Sequence, residues 1–265
     1  MKVNQPTFAN RFSIVSQWKP REETPEELGL RTLSCLDLIS PIHSAFRGWT
    51  FLDVSRDAME MSEENIQEFL CPLEKARKRM TQIVVDWGVT IDDEGPEPGY
   101  GYNVSVSTTD IPDSQRVTFG AHGGGLVSWT GAPREASFHT DDLHEADPTI
   151  ISYPVFRSVL LAIVSCWDVD YAQAFSRELV QRWTDPHPFC DLSWMVYLSA
   201  PLAQRITVPA DVIVERLADG GLIMIAAEET FDVANPKHLA GARSILNALA
   251  PLNAEEAERQ AKRGW

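Results

Sequence analysis

The chain has 265 residues, 44% of them hydrophobic and 23% charged, which is enough to bury a full core. Its formal net charge is −15, and the acidic excess is spread along the chain and not confined to a tail. Such a surface repels phosphate backbones, so it argues against direct nucleic-acid binding and favours a basic partner. The four cysteines, Cys35, Cys71, Cys166 and Cys190, lie far apart with no C-x-x-C, which fits neither a zinc site nor a disulfide framework and points to a reducing cytoplasm. No apolar segment follows Lys2, so no signal peptide is expected. The longest apolar runs, residues 159–164 among them, are too short to span a bilayer.

In chain order, Phe12, Ile14 and Trp18 mark a first strand. Thr24-Pro25-Glu26-Glu27 is a helix start, with Thr as N-cap, Pro at the first position and Glu three residues on. Leu28, Leu33, Leu36 and Ile39 carry that helix's apolar face. Phe46, Trp49, Phe51 and Leu52 read as an aromatic connector. A second helix is expected from Ser62, with a kink or break at Pro72. Residues 92–99 are a loop by composition. Strands are expected at 102–107, where Tyr102, Val104 and Val106 alternate with Asn103 and Ser105, and at 116–120.

A Gly-rich stretch covers 120–131, with a further short strand at 126–129. Residues 135–147 read as a polar, acidic loop. Residues 150–153 read as a strand, and Pro154 opens a helix that buries Phe156, Val159, Leu160, Ile163 and Trp167. Tyr171, Phe175, Leu179 and Val180 fall at helical spacing, so a short helix capped by Asp168 is expected there. Residues 194–198 are a compact strand. An alternating strand around Val212 and Val214, a turn at Asp219-Gly220-Gly221 and an apolar run at 222–225 predict a hairpin. Asn235 before Pro236 caps the last helix, which carries Leu239, Ala242, Ile245, Leu246 and Leu249 and closes at Pro251.

This order predicts an α/β (α+β) architecture, a mixed and largely antiparallel sheet covered by helices. No linker marks a boundary, so residues 1–265 are expected to form a single compact unit, with a core of about 12–250 and a charged C-terminal tail at 251–265 that frays.

The chemical motifs are weak. His122-Gly123-Gly124-Gly125 is like the oxyanion loop of some esterases, but no G-x-S-x-G elbow accompanies it. Residues 139–147 hold His139, Asp141, Asp142, His144, Glu145 and Asp147, the best metal candidates, at a spacing that matches no ligand motif. There is no P-loop, no dinucleotide fingerprint and no H-E-x-x-H. A non-enzymatic protein without a cofactor is expected, working by surface shape and charge.

Several stretches in order carry a resemblance. They are Gln17-Trp18-Lys19-Pro20-Arg21-Glu22-Glu23, Gly101-Tyr102-Asn103-Val104-Ser105-Val106, Val117-Thr118-Phe119-Gly120, Cys166-Trp167-Asp168-Val169-Asp170-Tyr171-Ala172 and Ser193-Trp194-Met195-Val196-Tyr197-Leu198. Gly220-Gly221-Leu222-Ile223-Met224 and Asn235-Pro236-Lys237-His238 complete the set. Together they resemble the bacterial immunity protein 52 family of polymorphic toxin systems.

The resemblance implies a cytoplasmic antitoxin without catalysis. Its partner would be a cognate toxin, a DNase of restriction-endonuclease-like fold delivered by type VI or related contact-dependent secretion. An acidic protein suits the basic surface with which a nuclease holds DNA. The family carries no catalytic residues to this chain, so the toxin-binding surface is chosen by charge: Asp92, Asp93, Glu94 and Glu97 in one loop, and Glu228, Glu229 and Asp232 beyond the hairpin. Tyr100 and Trp129 are aromatic candidates beside them. The alternatives are a metal-dependent hydrolase using His122, His139, Asp141, Asp142 and His144, and an effector chaperone or structural subunit.

Overall fold

The computed structural model describes residues 11–19, 21, 23–51, 102–123, 134–141, 144–182 and 189–263. The helix expected from Ser62, the strand at 126–129, Tyr100, Trp129 and the loop holding Asp92, Asp93, Glu94 and Glu97 lie outside these residues.

Strand β1 (Phe12–Trp18) leads to helix α1 (Pro25–Ile39). Its start obeys the local chemistry. Thr24 Oγ1 accepts from the Glu27 amide at 3.2 Å, and the Glu27 carboxylate accepts from the Thr24 amide at 2.7 Å. This reciprocal cap satisfies two otherwise orphaned donors and so stabilises the helix start. The aromatic connector supplies β2 (Trp49–Phe51), which pairs with β3 (Tyr102–Thr108). Then come β4 (Val117–Gly123), β5 (Arg134–Thr140) and α2 (Tyr153–Trp167). Next are β6 (Tyr171–Ser176), α3 (Arg177–Arg182), β7 (Met195–Leu198) and the short α4 (Ala200–Ala203). The chain ends with β8 (Ile213–Arg216), β9 (Leu222–Ile225), α5 (Pro236–Ala248) and α6 (Ala250–Arg263).

The strands form one nine-stranded sheet in the order β2-β3-β4-β5-β1-β6-β7-β9-β8. Every pairing among the described strands is antiparallel. The expected α/β architecture, a largely antiparallel sheet under helices, is therefore what the chain forms.

Register assigns the faces. Ile14 lies opposite Phe138 and Ala174, and Phe138 opposite Phe119. These side chains share one face with Met195, Tyr197, Ile223 and Ile225, and α1 and α2 cover it. Phe156 of α2 sits among Phe12, Phe138 and Trp194 at ring-centroid distances of 5.7, 5.9 and 5.7 Å. On the opposite face, Tyr171, Val196, Leu198, Leu222 and Met224 pack with Ile245 of α5, Leu249 just past its end and Leu252 of α6. Both faces are thus buried at the C-terminal half of the sheet. The opposite face of β1, β4 and β5 is instead more polar, with Gln17, Thr118, His122, Glu135, Ser137 and His139.

Four segments depart from the sequence reading. Residues 134–140 are the strand β5 and not a loop: Ala136, Phe138 and Thr140 are buried while Glu135 and His139 turn to the polar face. Residues 150–152 form a turn, and Tyr153 is already helical. Tyr171–Ser176 is a strand where a helix was expected, and Asp168 ends α2 in the left-handed region at φ 43°. The terminal segment is helical through Arg263, and Pro251 falls in the first turn of α6, where a missing amide costs nothing. Asn253 in α6 is buried, and its Oδ1 accepts from the Phe189 and Cys190 amides at 3.0 Å each.

Candidate interaction surface

The segment between β9 and α5 carries three of the acidic side chains chosen by charge. Its ends are anchored from below. The Ala226 amide donates to the Trp194 carbonyl at 2.8 Å, and the buried Trp194 indole donates to the Ala227 carbonyl at 2.9 Å. Glu228 and Glu229 follow, both exposed. Thr230 Oγ1 then donates to the Ile151 carbonyl at 3.1 Å, and Phe231 is buried against the His238 ring at 5.7 Å.

Asp232 is exposed, but its backbone is held. Its amide donates to Nδ1 of buried His238 at 3.0 Å. That bond leaves Nδ1 without a proton and places the proton of a neutral ring on Nε2, which lies 3.4 Å from the Glu229 carboxylate. The Asp232 carboxylate accepts from the Ala234 amide at 2.8 Å, and the Asn235 side chain caps α5 through the Lys237 amide at 3.0 Å. The result is a rigid turn presenting Glu228, Glu229 and Asp232 together to solvent. Rigidity matters for binding because little ordering entropy remains to be lost on contact.

Next to this turn lies the outermost strand, β8. Its Glu215 is gripped by Arg157 of α2, whose Nε stands 2.8 and 2.9 Å from the two carboxylate oxygens. The Tyr153 hydroxyl donates to the same carboxylate at 2.9 Å. The Arg157 hydrogen bond holds the Glu215 carboxyl below the usual range, against the opposing effect of burial. Burial and the bond to Glu215 push the Tyr153 hydroxyl up to about 12. Reasoning from the sequence missed this trio. Nothing local in the sequence links Tyr153 and Arg157 to a glutamate in a later strand.

Among the described residues, the side chains named for the hydrolase alternative do not gather at one point. His139 Nδ1 pairs with Ser13 Oγ at 2.8 Å on the polar face of the sheet. His144 lies in the turn beyond β5, bound to Asp141 at 2.9 Å and 3.4 Å from Asp113. Asp147 receives Gln115 at 2.8 Å and the Thr149 amide at 2.9 Å, bonds that hold its carboxyl below the usual range. His122 is on β4, opposite Glu135. Asp142 lies outside the described residues. Among the described residues, no three His, Cys, Asp or Glu side chains are grouped to hold a metal ion. No helix among them is long and apolar enough to cross a membrane.

Fold and surface together define an antiparallel α/β protein that offers a preshaped acidic turn. Residues 133–253, from the start of β5 into α6, match the family model described as Immunity protein 52, which is the family the sequence resembles. The acidic turn lies inside that match. Among solved structures, the Pseudomonas aeruginosa T6SS protein PA0821 is similar over 94% of this chain and 76% of its own, at 12% identity and a TM-score of 0.49. No curated protein matches this chain.

Proposed function

We propose that this chain is an immunity protein that binds and neutralises a cognate toxin in the cytoplasm, stoichiometrically and without turnover. The observation that carries this reading is the family match over 133–253, which contains the rigid turn of Glu228, Glu229 and Asp232. The net charge of −15 adds the partner's chemistry. A nuclease toxin of restriction-endonuclease-like fold, delivered by type VI or related secretion, needs a basic surface to hold DNA. An acidic protein steers onto such a surface and covers it. The acidic turn, with Asp92, Asp93, Glu94 and Glu97, is the proposed contact surface.

The test is a DNA-cleavage assay with the toxin encoded beside this gene, titrated with the purified protein. Cleavage lost near one-to-one, with a complex that survives gel filtration, is the expected result. Full cleavage in excess protein would refute the reading. Binding without inhibition would point to an effector chaperone. Reversing charge at Glu228, Glu229 and Asp232 together is expected to weaken the complex by tenfold or more, about the 1.4 kcal/mol that a tenfold change represents. Unchanged affinity would remove this turn from the interface.

A further inference from the structure

The sheet ends at β8, and among the described residues nothing pairs with its outer side. Which groups face outward follows from the hairpin. The Leu217 amide donates to the Gly221 carbonyl at 2.8 Å, and the Gly220 amide returns to the Leu217 carbonyl at 3.0 Å, with Gly220 at φ 86°. This is a tight turn with a glycine bulge. Hydrogen-bonded pairs alternate along an antiparallel ladder. Glu215 opposite Ile223 and Ile213 opposite Ile225 are therefore the bonded pairs. The N–H and C=O groups of Val214 and Arg216 point away from β9, into the open edge.

Open edges invite pairing, and soluble proteins guard them with charges, prolines, bulges or a covering element. Here Glu215 is turned toward α2, where its charge is paired with Arg157 and bonded by Tyr153, so it does not face the edge. Ile213 is left 38% exposed on the same strand. The surroundings are acidic. Exposed Asp211 precedes the strand, exposed Asp219 sits in the turn, and Glu228, Glu229 and Asp232 follow β9. The one cation on the strand is Arg216, at the end nearer the turn.

We propose that β8 is the docking rail for an extended, basic segment of the toxin, which adds to the sheet as a further strand. Its backbone pairs with Val214 and Arg216, an apolar side chain covers Ile213, and its cations meet the acids at the Ile213 end. The inference rests on the immunity reading and adds the mode of binding to it.

The test uses the full chain, the toxin encoded beside its gene, and Val214→Pro. Proline removes the outward amide without touching a bond to β9, and its fixed φ is tolerated on an edge strand. Thermal unfolding confirms that the variant folds. The expected result is a loss of toxin affinity of about tenfold or more, the effect of one lost hydrogen bond plus blocked approach. Residue-resolved amide exchange of the wild-type complex is expected to slow at Val214 and Arg216, and affinity is expected to fall as salt is raised. Should Val214→Pro not fold, the exchange measurement on wild type decides alone. Wild-type affinity in the variant, or unprotected Val214 and Arg216 amides in the complex, would overturn edge pairing while leaving immunity intact. A wild-type dimer that Val214→Pro turns into monomer would assign the edge to a second copy of this chain and equally overturn it. Absence of any complex with wild type would instead take down the immunity reading itself.

Discussion

Arg157 and Glu215 join the helical layer to the outermost strand, through Nε contacts of 2.8 and 2.9 Å to the two carboxylate oxygens. Removing one partner strands the other in a half-buried site. Glu215→Gln is expected to cost about 1–3 kcal/mol at neutral pH, read from urea unfolding. The pH dependence has a fixed sign, because the folded carboxyl is held below its ordinary range. Its contribution is whole above the ordinary glutamate value and disappears as pH falls through the lowered folded value. Wild type and Glu215→Gln therefore converge in acid. A gap that stays constant with pH would show that the ion pair is not what the substitution removes.

Glu135 carries the opposite sign. Burial on the polar face of the sheet raises its carboxyl above the usual range. The folded state then holds the proton more tightly than the unfolded chain does. At neutral pH the charged form costs stability, and the cost is relieved as pH falls through the raised value. Glu135→Gln is expected to raise Tm at neutral pH, because the substitution removes a charge that burial disfavours. The gain vanishes in acid. A lower Tm at neutral pH would mean that the Glu135 carboxylate makes a bond more favourable than its burial is costly.

The contrast between these residues shows what the sequence makes legible. Local rules located the capping box at Thr24, the Asn235-Pro236 helix start and the glycine turn after Leu217, because each is satisfied within a few residues. Strand β5 escaped because its core-facing residues, Ala136, Phe138 and Thr140, include one large apolar side chain, and Glu135, Ser137 and His139 fill the polar face between them. Strand β6 escaped because Tyr171, Phe175 and Leu179 mimic helical spacing. In the fold, Ala172 and Ala174 are the small side chains that face the helical layer, so the strand hides its inner face from any hydrophobic count. Of the contact surface, charge alone located Glu228, Glu229 and Asp232, while the groups that hold them are distant in sequence: Trp194 and Ile151.

Cys35 and Cys166 meet where α1 packs on α2. The hydrogen bond from Cys35 pulls the half-exposed Cys166 thiol down to about 7, with help from Ser165 and Arg31, while burial pushes Cys35 up. Cys190 is buried and pushed up to about 12. Among these three thiols, Cys166 is expected to react first with iodoacetamide at neutral pH, followed by peptide mass spectrometry. Its rate falls as pH drops through about 7, where the thiolate takes up a proton. Cys35→Ser is expected to shift that midpoint, because a hydroxyl donor replaces the thiol. Equal labelling of Cys166 and Cys190 in the folded protein would refute the assignment.

Gly241 tests whether the acidic turn is held by the packing beneath it. A Cβ on this residue of α5 would lie 2.8 Å from the Ala226 carbonyl oxygen and 3.0 Å from the Ala226 Cα. Alanine in a helix ordinarily gains about 1 kcal/mol over glycine. Here the neighbour is backbone, and it cannot retreat freely. The Ala226 amide is bonded to Trp194, and the Trp194 indole holds the Ala227 carbonyl. Overpacking of about 1–3 kcal/mol therefore opposes the propensity gain and exceeds it. Gly241→Ala is expected to lower stability in urea unfolding and to weaken toxin binding, because the helix must lift from Ala226 and carry His238 and the Asp232 amide with it. Ala240→Gly, one residue away on the exposed side of the same helix, loses only the propensity difference and leaves the turn in place. If Gly241→Ala instead stabilised the protein and bound toxin as tightly as wild type, α5 would not be seated on Ala226, and the rigidity assigned to the Glu228–Asp232 turn would have another source.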